Sequence, residues 1–261
     1  METFTSFDGT SIAFREWGAE YGTVPVVLHH GFAADSLTNW VTPGVADRIC
    51  ATGRRVVAID ARGHGKSGKP HDVAAFSAGQ MVRDVSSLID HLRVERIDLV
   101  GYSMGGHVAL DVATTESRLR SVVIGGIGGA ALAPESIDRS AMVKALRTDD
   151  IDEIPDGAGK ALRRLAERSG ADLESLAAIA TDSGHRAEHL ERITVPALVL
   201  VGADDSMARG SERLAATIPG ARHQVVPGDH LTCVAEPAFA EAISAFLDEV
   251  SKRPATPEPA G

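Results

Sequence analysis

The chain has 261 residues, 44% of them apolar and 24% charged, enough for one large α/β domain, with or without an insertion, around a full hydrophobic core. Its formal net charge of −10 argues against a nucleic-acid partner, because phosphate binding needs clustered Lys and Arg. Cys50 and Cys233 are too few and too far apart for a disulfide framework, no apolar run approaches the ~20 residues of a membrane helix, and the N-terminus has no secretory-signal pattern, so a soluble cytoplasmic protein is expected.

Two β-prone runs, Glu2–Phe7 and Ser11–Trp17, flank Asp8-Gly9-Thr10 and predict a hairpin. Pro25–His29 reads as a buried strand, Val45–Thr52 as a helix and Arg55–Ile59 as a second buried strand. Over Ser77–Leu92 the apolar residues Met81, Val85, Leu88, Ile89 and Leu92 fall on one helical face, with Ser77 as the expected N-cap. Strand Arg96–Val100, helix Met104–Thr115 and strand Ser121–Ile124 follow. After a long interruption come strand Ala197–Val201, helix Ser211–Ile218, strand Arg222–Val226 and helix Pro237–Val250.

Short β-branched runs alternating with amphipathic helices imply an α/β fold, a mostly parallel sheet with helices on both faces and antiparallel strands at the N-terminal edge. The interruption carries helical runs near Ser140–Arg147, Gly159–Arg168 and Leu173–Ala180 and no strand signal. The expected division is a core over residues 1–126 and 194–250, a small helical cap over 127–193 and a disordered tail over 251–261. Such a cap would sit over the C-terminal ends of the strands, where open α/β sheets bind ligands.

Gly101-Tyr102-Ser103-Met104-Gly105 matches G-x-S-x-G, a weak pattern by itself. Here it joins a buried strand to a helix, as a nucleophile elbow requires. Side chains at positions 101 and 105 would clash in so tight a turn, and the serine hydroxyl is exposed at a helix N-terminus that favours developing negative charge. A serine hydroxyl needs a base, and the base an acid that orients it. On such elbows the acid precedes the histidine in the chain. Gly202-Ala203-Asp204-Asp205 follows a buried strand, and Pro227-Gly228-Asp229-His230 follows the last one. His230 is the expected base. Both Asp204 and Asp205 are open as the acid, with Asp205, three residues after the glycine, preferred; Asp229 is too close along the chain to hold the imidazole. The loop His29-His30-Gly31-Phe32 should supply the Phe32 N–H, beside that of Met104, for an oxyanion hole.

These motifs, together with Asp60-Ala61-Arg62-Gly63-His64-Gly65-Lys66-Ser67, resemble a capped member of the α/β-hydrolase superfamily across about residues 1–250. The resemblance implies Ser103 as nucleophile, Asp205 as acid, His230 as base, and Phe32 and Met104 as oxyanion donors. Arg62 and His64 take structural roles. A serine at 103 disfavours relatives that use an aspartate nucleophile. Gly125-Gly126-Ile127-Gly128-Gly129 carries no carboxylate, which returns the acid to the Asp204-Asp205 loop. Gly31, Tyr102, Gly126 and Ile127 should border the substrate pocket, the small residues after Gly125 leaving room for an acyl group.

Other motifs fail in context. Residues 63–68 fit G-x-G-x-x-G and contain Gly-Lys-Ser, but a P-loop needs glycine where Asp60 stands and a helix where Pro70 follows. Residues 126–131 fit a loose dinucleotide fingerprint without the acidic strand end that should follow. Cys233 reads as a packing residue rather than a reactive thiol. The expected reaction is cleavage of a small or medium carboxylic ester through an acyl-enzyme, needing no metal or cofactor. A lactone or carbon–carbon bond hydrolase is the alternative on the same fold, and a non-catalytic ligand-binding protein a further one. Oligomeric state is not legible.

Overall fold

The computed structural model describes residues 1–76, 79–133, 139–155, 157–181 and 189–253. Among them, one eight-stranded sheet runs in the order β1-β2-β4-β3-β5-β6-β7-β8. Its strands are β1 (Glu2–Thr5), β2 (Ser11–Trp17), β3 (Val26–His29), β4 (Val56–Ile59), β5 (Ile97–Tyr102), β6 (Leu119–Gly125), β7 (Ala197–Gly202) and β8 (Arg222–Val226). Residues of β3, β4, β5 and β7 are buried throughout, as strands covered on both faces must be, whereas β8 at the edge is largely exposed. The opening hairpin pairs antiparallel with Thr5 opposite Ser11, and β2 pairs antiparallel with β4; every later pairing is parallel.

The period-2 alternation of the strands sorts the core into two layers. Val26, Leu28, Val56, Ala58, Leu198 and Leu200 point to one face, where α1 (Val45–Cys50) and α8 (Pro237–Lys252) supply Ile49, Phe239, Ile243 and Leu247. Val27, Val57, Ile59, Val199 and Val201 point to the other, against α2 (Gln80–Leu92), α3 (Met104–Thr115) and α7 (Ser211–Thr217). Helix α2 begins at Gln80 behind Gly79, whose φ of 72° lies in the left-handed region; the expected N-cap Ser77 falls outside the described residues. Helix α8 continues to Lys252, two residues into the stretch read as tail, with Ser251 Oγ donating to the Leu247 carbonyl. The rest of that expected tail, 254–261, lies outside the described residues. None of the described helices is long and apolar enough to cross a membrane.

Between β6 and β7 lie α4 (Ser140–Arg147), α5 (Ala158–Ser169) and α6 (Leu173–Thr181). Arg163 on α5 donates to the carbonyl of Ala145, satisfying an acceptor that the end of α4 leaves open. Polar contacts fasten these helices to the sheet layer: Ser169 Oγ donates to the Ala33 carbonyl at 3.2 Å and Ser175 Oγ to that of Pro70 at 2.9 Å.

The Asp60–Ser67 segment is held from inside. Asp60 accepts from the backbone N–H of Ser36 and of Lys66, and a Cβ at Gly65 would lie 2.1 Å from its Oδ2. Arg62, fully buried, makes two 2.7 Å bonds to Asp84 and a second ion pair to Asp8, tying this loop to α2 and to the hairpin. Desolvation pushes the Asp84 carboxyl upward against the pull of Arg62. Burial opposes the charge of Arg62 as well, but its two carboxylate partners raise it overall, so the guanidinium stays charged.

Candidate active site

Parallel registry sets the C-terminal ends of five strands along one edge. His29 is level with Gly101, Tyr102 with Gly125, Gly125 with Leu200, and Gly202 with Val226. The loops that leave these ends therefore converge, although they are far apart in sequence.

At the centre is the turn from β5 into α3. Ser103 has φ 54° and ψ −113°, a left-handed conformation for a residue with a side chain, worth about 1–3 kcal/mol of strain. Its surroundings allow no glycine to be replaced. A Cβ on Gly101 would lie 1.9 Å from the Gly105 carbonyl oxygen, and one on Gly105 would lie 2.1 Å from that of His29. The Ser103 N–H donates to the Gly125 carbonyl at 2.9 Å, holding the turn against β6.

His230 Nε2 lies 3.0 Å from Ser103 Oγ, and His230 Nδ1 lies 2.8 Å from Asp205 Oδ2. The carboxylate can only accept, so Nδ1 carries the proton and Nε2 presents its lone pair to the hydroxyl. Asp205 Oδ1 accepts from the N–H groups of Met207 at 2.9 Å and Ala208 at 3.1 Å, which fixes the carboxylate plane. The Asp205 side chain is fully buried, whereas Asp204 is exposed. Of the two candidates, Asp205 is the one that meets the imidazole. Asp229 instead accepts from Leu231 N–H, Thr232 N–H and Thr232 Oγ1, which hold its carboxyl below the usual range and shape the turn after His230.

Tyr102 corrects an expectation. It does not border the cavity; its ring is buried on the α8 side of the sheet, 5.4 Å from the His230 ring and 5.7 Å from that of Phe239. Its hydroxyl donates to the His230 carbonyl at 2.6 Å, and Cys233 Sγ lies 3.2 Å from the same oxygen. Tyr102 thus props the loop that carries the imidazole. Cys233 is fully buried, and burial raises its thiol, which keeps it protonated.

The loop after β3 is fixed from behind. The Gly31 N–H donates to Asn39 Oδ1 at 2.8 Å, and a Cβ at Gly31 would come within 3.3 Å of that of Ser103. Gly31 itself does not line the cavity. His30 Nε2 accepts from the Ala61 N–H, so Nδ1 carries the proton that it donates to the Gly31 carbonyl at 2.8 Å. His64 accepts from the Ala33 N–H at 3.3 Å, and Ala33 holds φ 58°. Neither Phe32 N–H nor Met104 N–H donates to a protein acceptor among the described residues. Sequence reasoning missed Asn39, because it lies among Ser36, Thr38 and Thr42 and nothing in that pattern sets it apart.

Burial lowers both His30 and His64, and for His64 the neighbouring His30 adds to the effect, taking it well below the ordinary value of 6.5. The sign follows from linkage: unfolded imidazoles take up protons below about 6.5 while the buried ones do not, so acid favours unfolding. Stability is therefore expected to fall as pH drops from about 7.5 to 5.5, a window in which ordinary carboxylates stay ionised. The urea midpoint of the wild type should decline across that window, and His64→Gln should flatten the decline. An equal slope in both proteins would refute it.

Ser103 and His230 open into a cavity of about 370 Å³ that is lined mainly by apolar side chains. Phe32 and Met104 form its floor beside Ser103; Gly126, Ile127 and Gly128 follow from β6; Met142, Leu162 and Ile179 come from α4, α5 and α6. Gly126 and Ile127 are both on the wall. The glycines answer to backbone packing more than to room for a ligand: a Cβ at Gly126 would lie 2.7 Å from the Tyr102 ring, and one at Gly128 would lie 2.4 Å from the carbonyls of Ala208 and Arg209.

Comparison with known proteins gives a consistent result. A family model described as alpha/beta hydrolase fold matches residues 24–190. The chain is 30% identical over 251 residues to a dihydrolipoyllysine-residue acetyltransferase component of an acetoin cleaving system from Pseudomonas putida, covering 83% of this chain and 63% of that protein. It is 26% identical over 211 residues to 3-oxoadipate enol-lactonase 2 of Acinetobacter baylyi, covering 74% and 78%. Among solved structures it is similar to a thermophilic esterase from Thermogutta terrifontis, with a TM-score of 0.75, 26% identity and coverage of 95% and 98%. The chain spans less than two thirds of the length of the Pseudomonas relative.

Proposed function

The chain belongs to the alpha/beta hydrolase fold family, and from that premise we propose a serine hydrolase that cleaves a small or medium carboxylic ester through an acyl-enzyme. The observation that carries this reading is the hydrogen-bonded chain Ser103 Oγ–His230 Nε2 at 3.0 Å and His230 Nδ1–Asp205 Oδ2 at 2.8 Å, with Ser103 and His230 lining an apolar cavity.

Ser103 Oγ attacks the ester carbonyl as its proton passes to His230 Nε2. The imidazolium is stabilised by Asp205, which stays ionised. The oxyanion is received by the Phe32 and Met104 N–H groups, each contact of this kind contributing about 2.7–4 kcal/mol to the transition state. His230 then returns the proton to the leaving alkoxide. Water, deprotonated by His230, attacks the acyl carbonyl and restores Ser103. In this reading residues 127–193 act as a cap over a core of 1–126 and 194–250, and α4, α5 and α6 keep bulk water from the acyl group. The same chemistry opens a lactone, whose leaving oxygen stays attached; the likeness to an enol-lactonase supports that second substrate class.

The test is labelling by a fluorophosphonate probe, followed by kcat/KM over aryl esters of increasing acyl length and over simple lactones. Stoichiometric labelling at Ser103 with turnover of esters is expected. Absence of labelling on folded protein would overturn the nucleophile.

A further inference from the structure

Among the described residues, two large apolar side chains that stand exposed to solvent also line the cavity: Met207, 65% exposed, and Leu231, 70% exposed. The other large apolar residues of its wall are buried or half-buried, Met81 and Ile127 among them. Met207 and Leu231 thus belong both to the wall and to the outer surface, and they sit on the loops that carry Asp205 and His230. Met207 lies in the turn Ser206–Ala208, and its N–H donates to Asp205 Oδ1 at 2.9 Å. Leu231 follows His230 directly, and its N–H donates to Asp229 Oδ1 at 2.9 Å. Both backbones are therefore pinned before a ligand arrives, which lowers the ordering cost of a contact made there. Side chains of this kind, held in water beside an apolar cavity, gain when an apolar group covers them.

We propose that Met207 and Leu231 hold the alcohol portion of the ester, so that the hydrolase described above selects esters of apolar alcohols. This rests on the reading of Ser103 as nucleophile and His230 as base. The proton that His230 Nε2 takes from Ser103 passes to the leaving oxygen, so that oxygen lies beside the imidazole while the acyl carbon stays bonded to Ser103 Oγ. The alcohol portion therefore extends on the imidazole's side, where positions 207 and 231 stand. Release favours the same arrangement. The alcohol departs first and must reach solvent, while the acyl group is still attached along the wall that Met142, Leu162 and Ile179 supply. Apolar contact with the alcohol is made alike in the bound substrate and in the transition state, so it acts through KM.

The test uses esters of matched length in which one methylene is replaced by an ether oxygen. Pentyl butyrate against 3-methoxypropyl butyrate varies the alcohol, and propyl hexanoate against propyl 4-methoxybutanoate varies the acyl group. Pentyl butyrate is expected to exceed its ether twin in kcat/KM by about fivefold, short of the roughly tenfold or more that a methylene is worth in a closed pocket. Leu231→Ala should remove part of that preference. Met207→Gln combined with Leu231→Asn, polar and close in size, should bring the ratio near one, chiefly through KM, and leave the acyl-side ratio unchanged. Val225→Thr, at an exposed apolar residue that does not line the cavity, should change neither ratio. A wild-type alcohol-side ratio near one, or a ratio indifferent to the paired substitution, would overturn the inference and leave the esterase reading intact. A paired substitution that moves the acyl-side ratio instead would also overturn it, because the acyl group would then lie against Met207 and Leu231. If no ester is turned over and Ser103 does not label, the esterase reading falls and the inference falls with it.

Discussion

Asp205→Asn is expected to lower kcat by about 10⁴-fold with little change in stability. The carboxylate accepts the Nδ1 proton of His230 at 2.8 Å and so leaves Nε2 free to take the Ser103 proton. An amide in the same place can turn its NH₂ toward Nδ1, which stabilises the other tautomer and blocks Nε2 with a proton. The amide oxygen can still accept from Met207 and Ala208, so the turn after β7 should keep its shape. Asp204→Asn is the internal comparison. Its side chain is exposed, its backbone N–H keeps its bond to the Gly228 carbonyl, and its activity should stay within about twofold of wild type. Steady-state kinetics on one aryl ester, with thermal melts of both variants, decides the matter. Loss of activity in Asp204→Asn with retention in Asp205→Asn would reverse the assignment.

Ser103→Ala should abolish fluorophosphonate labelling and reduce hydrolysis by about 10⁶-fold, because residues that act as one unit fail together. What remains would come from the Phe32 and Met104 N–H groups and from binding, which the substitution leaves in place. Ser103→Gly gives a second readout. It should be equally inactive yet denature at higher urea, since glycine adopts φ 54° and ψ −113° without the strain that serine bears there. A glycine variant no more stable than the alanine variant would show that this backbone is not strained. Labelling that persists in the alanine variant would place the nucleophile elsewhere.

Much of this molecule is legible along the chain, because the relevant signals are local. Buried β-branched runs such as Val26–His29 and Ala197–Gly202 declare parallel strands, and the spacing of Met81, Val85, Leu88 and Ile89 declares the buried face of α2. Helices α4, α5 and α6 are likewise visible as periodic runs. Local signals also mislead. Phe7 reads as part of the first strand, yet β1 stops at Thr5 and the Phe7 ring turns out under Arg83, 3.4 Å from the guanidinium carbon. Tyr102 stands next to Ser103 in the elbow motif and reads as a pocket residue; the strand pleat sends its ring through to the opposite face, against Phe239.

The sequence by itself determined the element order, the elbow at Ser103 and the loops on which a base and an acid would have to lie, since each depends on side-chain periodicity and on glycine at a few tight turns. Tertiary structure alone decided which groups touch. Asp205 and Asp204 are chemically equal neighbours, and only the turn around Met207 and Ala208 buries one carboxylate against His230 and leaves the other in water. Asn39, His30 and His64 meet the Gly31–Ala33 loop through bonds that span 31 residues or fewer in the chain but depend on where β3 and β4 lie in the sheet. That Met142, Leu162 and Ile179 line one cavity with Ser103 belongs to the same class: it is set by how α4, α5 and α6 pack against the strand ends, and packing between distant segments leaves no periodic trace in the residues that take part.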